Sequence, residues 1–258
     1  MRAIYRPTGA ALEYAPLAVN LYQSCPHRCG YCYAPKVLHR TTAAFHAPAR
    51  PRPGILDALR KDAPKHEASL LPVLVSFVGD CYPSEFDGED VTREAISILC
   101  DYNIPVHVLT KGGMRAARDF DLLRQNADSA FGITLAFWDD RLRATWEPGA
   151  ASVAWRVEAI RLARSLGIRT WVSVEPVVDP AEAILVIQSL APWVDEFRVG
   201  KLNHMELPEP VDWHEWAPRL LWAVEESGRH YLIKESLRPY LPADLQEMAS
   251  RQGGVIGG

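Results

Sequence analysis

The sequence predicts an α/β fold: an open or partial (β/α) barrel of six parallel strand–helix units, with a seventh strand behind them. Three observations predict it. Short apolar runs alternate with amphipathic stretches at helical spacing, which is the pattern of parallel βαβ units. The 258 residues, 48% hydrophobic and 23% charged, are enough to bury a full core. No linker rich in Gly, Ser or Pro separates the strands, so residues 1–258 read as one domain, with a strand-and-helix extension from about residue 204.

The strands fall in order at Leu17–Tyr22, Val73–Val78, Val106–Thr110, Ala130–Ala136, Thr170–Val174, Glu196–Gly200 and Tyr231–Lys234. Helices are expected between them at Ile55–Lys61, Val91–Tyr102, Arg115–Asn126, Ser152–Leu166, Ala181–Leu190 and Glu215–Ser227. Asp90 or Thr92 suits the start of the second helix, and Gly167 suits a left-handed residue closing the fourth. The segment His39–Pro53, with Pro48, Pro51 and Pro53 among basic residues, reads as a long irregular loop that either connects over the surface or covers a site. Trp213, Trp216 and Trp222 lie on a helix expected to cover the barrel and pack into its core, with base stacking as the rival role. Cys100 reads as a small core residue, and Gln252–Gly258 as a frayed tail.

Composition narrows the function classes. No apolar run approaches the ~18 residues of a membrane span, and Met1–Pro7 has no apolar signal core. A cytoplasmic protein with no membrane partner is expected. A net charge of −4 gives no footprint for long nucleic-acid tracts, although it is compatible with a local basic patch. Five cysteines, three of them within eight residues, argue against a secreted disulfide framework and for a metal or cluster in a reducing compartment.

The strongest signal is Ser24-Cys25-Pro26-His27-Arg28-Cys29-Gly30-Tyr31-Cys32-Tyr33, directly after the first strand. Three thiolates can hold three irons of a [4Fe–4S] cube and leave the fourth iron open for a substrate or cofactor, whereas an electron-transfer cluster is normally held by four cysteines. Zinc is the alternative: Cys25, Cys29 and Cys32 with His27 or His39 would make a Cys3His set.

This loop, 24–33, resembles the CxxxCxxC signature of the radical S-adenosylmethionine (SAM) superfamily, with the aromatic Tyr31 just before the last cysteine. Within the superfamily the chain is similar to the spore photoproduct lyase family from about Asn20 to Asn203. Four further landmarks carry that likeness: Gly79-Asp80, Thr110-Lys111, Arg118-Asp119, and Glu147-Pro148-Gly149 followed by Arg156. The resemblance implies a radical SAM partial barrel with a [4Fe–4S] cluster on Cys25, Cys29 and Cys32. It also implies SAM cleavage to a 5′-deoxyadenosyl radical, hydrogen abstraction from an unidentified substrate, and a reductant such as ferredoxin or flavodoxin. The backbone of Tyr31 would lie against the adenine, Gly79 and Asp80 beside the methionyl amino group, and Lys111 and Thr134 beside the ribose and carboxylate. Arg156 would fork the SAM carboxylate.

Strand ends nominate the substrate side: Cys81, Tyr82 and Glu85, then Glu175, Lys201 and Asn203, then Lys234 and Glu235, with Cys81, Tyr82, Glu175 and Lys201 as the catalytic candidates. The family's DNA-repair lyases return hydrogen from a cysteine on the second strand. Here Val75–Val78 has no thiol and Cys81 follows Asp80; a neighbouring position points elsewhere, so the role does not transfer automatically, and Cys81 reads either as a hydrogen donor to a substrate radical or as a packed loop residue. A lyase acting on DNA is one alternative reading, with nucleic acid as substrate. A non-catalytic cysteine-loop module is another, and the ordered presence of Gly79, Lys111 and Arg156 counts against it.

Overall fold

The computed structural model describes residues 2–67, 69–203, 205 and 210–251; the Gln252–Gly258 tail lies outside the described residues. Seven parallel strands form one sheet in chain order: β1 (Leu17–Val19), β2 (Val73–Val75), β3 (Val106–Thr110), β4 (Ala130–Thr134), β5 (Arg169–Val177), β6 (Glu196–Lys201) and β7 (His230–Ile233). The sheet is open, with β1 and β7 at its edges. Every strand reads as an apolar run because both faces are covered. One face meets the helices over the large apolar core that includes Val75, Val108, Ile133, Val172 and Phe197. The other encloses Ala18, Leu74, Ala130 and Trp171 with Tyr14.

The helices are α1 (Ala34–Val37), α2 (Thr42–Phe45), α3 (Ile55–Asp62), α4 (Thr92–Asp101), α5 (Phe120–Leu123), α6 (Asp140–Trp146), α7 (Val153–Ser165), α8 (Pro180–Leu190), α9 (Trp213–Glu226) and α10 (Ala243–Arg251). Side chains cap several of them. Ser152 accepts from the Trp155 amide at the start of α7, and Asp179 from Ala181 and Glu182 at the start of α8. Asp90 accepts from the Thr92 amide just ahead of α4. Gly167, at φ +77°, closes α7 while Ile168 donates back to Ala163.

Several expectations change. The helix expected over Arg115–Asn126 is a 3₁₀ turn, Gly113–Asp119, followed by the short α5. This segment lies so tightly on α7 that a Cβ on Gly113 would come within 3.0 Å of Ala151 and Trp155. β1 and β2 stop after three residues because the chain turns there into the site loops, whereas β5 runs on to Val177. The tryptophans flank the buried stripe of α9, which is Ala217, Leu220, Leu221 and Val224. Trp222 faces solvent, and Trp213 lies against Tyr240. Cys100 is half-buried at the edge of the core.

The segment His39–Pro53 is neither a free connection nor a lid. Its α2 is capped by Thr41, and the stretch after it pairs backbone to backbone with the cysteine loop: the Cys25 amide donates to Phe45, Gln23 to Arg50, and Arg52 to Leu21. Ser24 Oγ donates to Pro48 O at 2.8 Å. The segment therefore braces the loop from behind.

The N-terminal segment spans the open side of the sheet. Tyr5 bridges antiparallel to Ala18 on β1, shielding that edge. At the far end, Glu13 accepts from the Glu235 amide just after β7.

Candidate active site

At the C-terminal ends of the strands lies a cavity of about 500 Å³, the size of a cofactor or substrate site. One wall is the cysteine loop, with Cys25, Cys29, Cys32, His27 and Tyr31. Residues 76–80, Thr110, Lys111 and Thr134 form the middle. The other end carries Glu175, Lys201, Asn203 and Lys234, together with Tyr5 and Tyr14 from the N-terminal segment.

Three further contacts, with α6 and the turn after it, hold the cysteine loop in place. The Gly30 amide donates to Trp146 O, the Gly149 amide to His27 O, and the Tyr31 hydroxyl to Glu147. Gly149 is required by contact: a Cβ there would fall 2.1 Å from Pro26 O. Glu147 in turn is paired with Arg156, whose Nη2 lies 2.5 Å from its carboxylate.

That pairing overturns the expectation for Arg156. The residue is fully buried and does not line the cavity. Its Nε donates to Ala151 O at 3.0 Å and its Nη1 to Thr134 O at 2.9 Å, so every face of the guanidinium is engaged. It has no fork to offer a SAM carboxylate. On the cysteine-loop side, Lys111 is a cation that does line the cavity; its ammonium lies 5.5 Å over the Tyr31 ring and has no carboxylate partner among the described residues.

Asp80 lines the cavity, yet both of its oxygens are taken. Oδ1 accepts from Thr110 Oγ1 at 2.5 Å and the Tyr82 amide at 2.8 Å; Oδ2 accepts from the Lys111 amide at 2.6 Å and lies 3.5 Å from His27 Nδ1. Burial works against the charge, but His27 and these donors outweigh it and hold the carboxyl below its ordinary value. The expected acceptor for an ammonium is thus a tie between the turns after β2 and β3. Gly79, at φ +75°, presents the backbone of that turn to the cavity. His27 is buried, and its Nε2 has no partner. Burial pushes its pKa down to about 4.

Cys81 and Tyr82 do not reach the cavity. The Cys81 thiol is fully buried and donates toward Val75 O at 3.5 Å and Leu109 O at 3.7 Å, within the apolar core. The Tyr82 hydroxyl donates to Asp119 at 3.0 Å. One residue past Asp80, the chain has already turned inward beneath the sheet ends, which removes both the hydrogen-donor role for Cys81 and the catalytic role for Tyr82. Cys81→Ala should cost about 1 kcal/mol in stability, an ordinary value for a core substitution, and leave turnover unchanged; an altered product pattern would restore the donor. Glu85 and Glu235 are exposed and stand outside the cavity.

At the substrate end, Glu175 accepts from the Tyr14 hydroxyl and from Lys234 Nζ at 2.9 Å. The register of β5 against β6 shifts between Val174 and Val177, a bulge that aims Glu175 inward. Lys234 also lies 3.5 Å from Glu13 and 3.9 Å over the Tyr14 ring. Burial, with Glu175 beside it, keeps Tyr14 a neutral phenol. Lys201 lies over the rings of Trp213 and Tyr240. Tyr14 and Glu13 were not legible as site residues, because they precede the first strand and reach the barrel only by folding back over its open side.

The donor set fits a cluster better than an ion. The Cys25, Cys29 and Cys32 thiols are free, and burial pushes Cys25 up to about 12 and Cys29 higher still, so unliganded thiolates are disfavoured and bound iron would supply the missing counter-charge. Among the described residues no three His, Cys, Asp or Glu side chains converge on a point that one ion could occupy. A cube takes each thiolate at a separate iron and asks the sulfurs to stand apart, while the zinc alternative needs them together, with a histidine that here faces Asp80.

Comparison with known proteins agrees with this geometry. The sequence profile of the Radical SAM superfamily matches residues 19–184. An uncharacterised protein of Methanocaldococcus jannaschii is 24% identical over 194 residues, covering 73% of this chain and 71% of that protein. Among solved structures, SuiB of Streptococcus suis bound to SAM superposes with a TM-score of 0.58 at 13% identity, over 81% of this chain and 43% of SuiB. A spore photoproduct lyase mutant with bound SAM and dinucleoside spore photoproduct gives 0.62 at 17%, over 83% and 73%. The chain thus spans less than half of SuiB, and these structural likenesses show a shared fold. Since the profile covers well over half of the sequence and falls on the barrel that carries the cysteine loop, the chain belongs to the radical SAM superfamily and is an enzyme of that class, using a [4Fe–4S] cluster and SAM.

Proposed function

We propose that the chain forms one radical SAM domain in which Cys25, Cys29 and Cys32 hold the cluster. SAM would lie along the cavity against Tyr31, Gly79, Lys111 and Thr134, and the substrate would be met by Glu175, Lys201, Lys234 and Asn203. The observation that carries this reading is that all three groups line one cavity, at the ends of strands that lie side by side in that order. When bound, the cluster and SAM supply a 5′-deoxyadenosyl radical able to take hydrogen from an unactivated carbon. The protein's part is to place, hold and exclude water.

Lys111 would hold the SAM carboxylate, since it lines the cavity next to the cysteine loop and forms no ion pair among the described residues. Asp80 would position it, by gripping its backbone amide. Glu175, already receiving two donors, is a fixed negative group beside the fixed positive one of Lys234, and together they would orient a polar substrate. Oxygen-labile clusters and free thiols suit the reducing cytoplasm. Among the described residues no helix is long and apolar enough to cross a membrane.

The deciding experiment is anaerobic reconstitution with iron and sulfide, reduction with dithionite, and assay for 5′-deoxyadenosine from SAM. Its absence from a fully reconstituted protein would overturn the reading. Lys111→Ala should keep the cluster and lose on the order of 1.5–3 kcal/mol of SAM binding, roughly ten- to a hundredfold in Kd, measured by calorimetry. Parental affinity would remove Lys111 from the SAM site.

A further inference from the structure

The substrate end of the cavity holds opposite charges that the fold keeps apart. Glu175, near the end of β5, and Lys201, at the end of β6, stand on neighbouring strands and both line the cavity, yet no ion pair joins them. Each is held by other groups instead. Glu175 Oε2 accepts from the Tyr14 hydroxyl and, at 2.9 Å, from Lys234 Nζ, while Oε1 receives no donor from any described residue. Gly200 lets this carboxylate settle against β6, since a Cβ there would fall 2.9 Å from Glu175 Oε1 and 2.9 Å from Lys234 Cδ. Lys201 Nζ lies 5.5 Å from the centre of the Tyr240 ring and 5.8 Å from that of Trp213, and has no carboxylate partner among the described residues. Aromatic faces hold an ammonium in place without neutralising it.

The charges at this end balance in sum but not in place. Lys234 sits between two carboxylates, Glu175 at 2.9 Å and Glu13 at 3.5 Å, so that group is negative by one charge. Tyr14 adds none, because burial and Glu175 keep it a neutral phenol. Lys201 supplies one positive charge on the adjoining strand. The cavity wall thus presents an open carboxylate oxygen beside an open ammonium. A phosphate or a simple carboxylic acid would meet Lys201 and leave Glu175 Oε1 without a donor; an amine would do the reverse. A molecule carrying an ammonium and a carboxylate on one short skeleton satisfies both.

We infer that the substrate is a small zwitterion of the amino-acid type, its ammonium donating to Glu175 Oε1 and its carboxylate bound by Lys201, a conclusion that rests on the radical SAM reading above and names the class of molecule on which that chemistry acts. Lys234 and Tyr14 are positioning residues here: they fix Glu175 through Oε2 and leave Oε1 for the substrate.

The test uses the reconstituted holoenzyme with SAM, dithionite and a mixture of the common amino acids deuterated on carbon. Hydrogen taken from an amino-acid carbon arrives as deuterium in 5′-deoxyadenosine, which mass spectrometry detects. Label should appear with the mixture and not when deuterated propionate or deuterated propylamine replaces it. Single additions then identify the amino acid, and the parent should prefer it over its carboxamide by roughly tenfold or more in kcat/KM. Lys201→Gln should abolish that preference, and Glu175→Gln should abolish the matching preference over the hydroxy acid. A merely structural role would lower both members of each pair alike and leave the ratios standing. Iron content confirms that the variants are loaded. Unlabelled 5′-deoxyadenosine from the parent, or equal label from propionate or propylamine, overturns the inference while the radical SAM reading stands; so does a Lys201→Gln variant with the parental preference. Label from a deuterated thymidine oligonucleotide in place of the amino acids would assign this end of the cavity to nucleic acid, and the inference falls. Failure of the parent to form 5′-deoxyadenosine at all overturns the radical SAM reading itself.

Discussion

Replacing Cys25, Cys29 and Cys32 together by alanine is expected to give a folded, colourless protein that takes up neither iron nor sulfide on anaerobic reconstitution. The fold should survive because the large apolar core lies between the sheet and its helices, and the loop is held by main-chain bonds to Trp146, Phe45 and Gly149 that need no thiol. Color should be lost completely, since a cube kept by fewer than three thiolates has no protein grip on most of its irons. Cys81→Ala and Cys100→Ala are the controls: neither thiol lines the cavity, and both variants should become as brown as the parent. Iron and sulfide analysis with electron paramagnetic resonance of the reduced protein settles the matter. Iron–sulfide content retained in the triple variant would remove the assignment, and content lost in Cys81→Ala would bring that residue back to the site.

The alternation of apolar and amphipathic runs was enough to place all seven strands, because a parallel sheet covered on both faces leaves a nearly continuous apolar signature in each. The cysteine loop was equally plain, since its three thiols lie within one turn of chain and their spacing alone implies a shared partner. What one dimension could not carry was direction. Arg156 occurs nine residues after Glu147 whether its guanidinium faces a cofactor or a carboxylate, and only the packing of α7 against β4 decides that it turns toward Glu147 and Thr134 O. Cys81 shows the same limit: it lies at a strand end, but the turn fixed by Asp80 sends its thiol into the core. Tyr14 and Glu13 belong to a segment without periodicity, whose place depends on contacts with β5 and β7, more than 150 residues away.

Arg156→Ala is expected to cost about 3–5 kcal/mol, the range for removing one partner of a buried ion pair, out of a stability on the order of 5–15 kcal/mol for a folded domain. The size follows from what remains. Glu147 is fully buried and would keep only the Tyr31 hydroxyl, while Thr134 O and Ala151 O would each lose a donor. The pH dependence gives a signature that plain loss of packing would not. In the parent, burial works against the Glu147 charge, but Arg156 and then Lys111 outweigh it, so the carboxyl is held below its ordinary value. The pair's contribution is then fully present above the unfolded carboxyl pKa and lost only as acid carries the pH down through the lowered folded value. Without Arg156, burial dominates and raises the folded pKa above the unfolded one, so the penalty grows as the pH rises through that interval and is relieved below it. Urea unfolding at about pH 5 and pH 7, both within the range where carboxyls of this kind shift, should therefore show the variant recovering stability at the lower pH while the parent does not. Glu147→Gln in the Arg156→Ala background should flatten that difference and return part of the lost stability, since the remaining group carries no charge to desolvate. SAM affinity per folded molecule should change little in Arg156→Ala. A variant with parental stability and a large specific loss of SAM binding would show instead that the guanidinium reaches the cofactor.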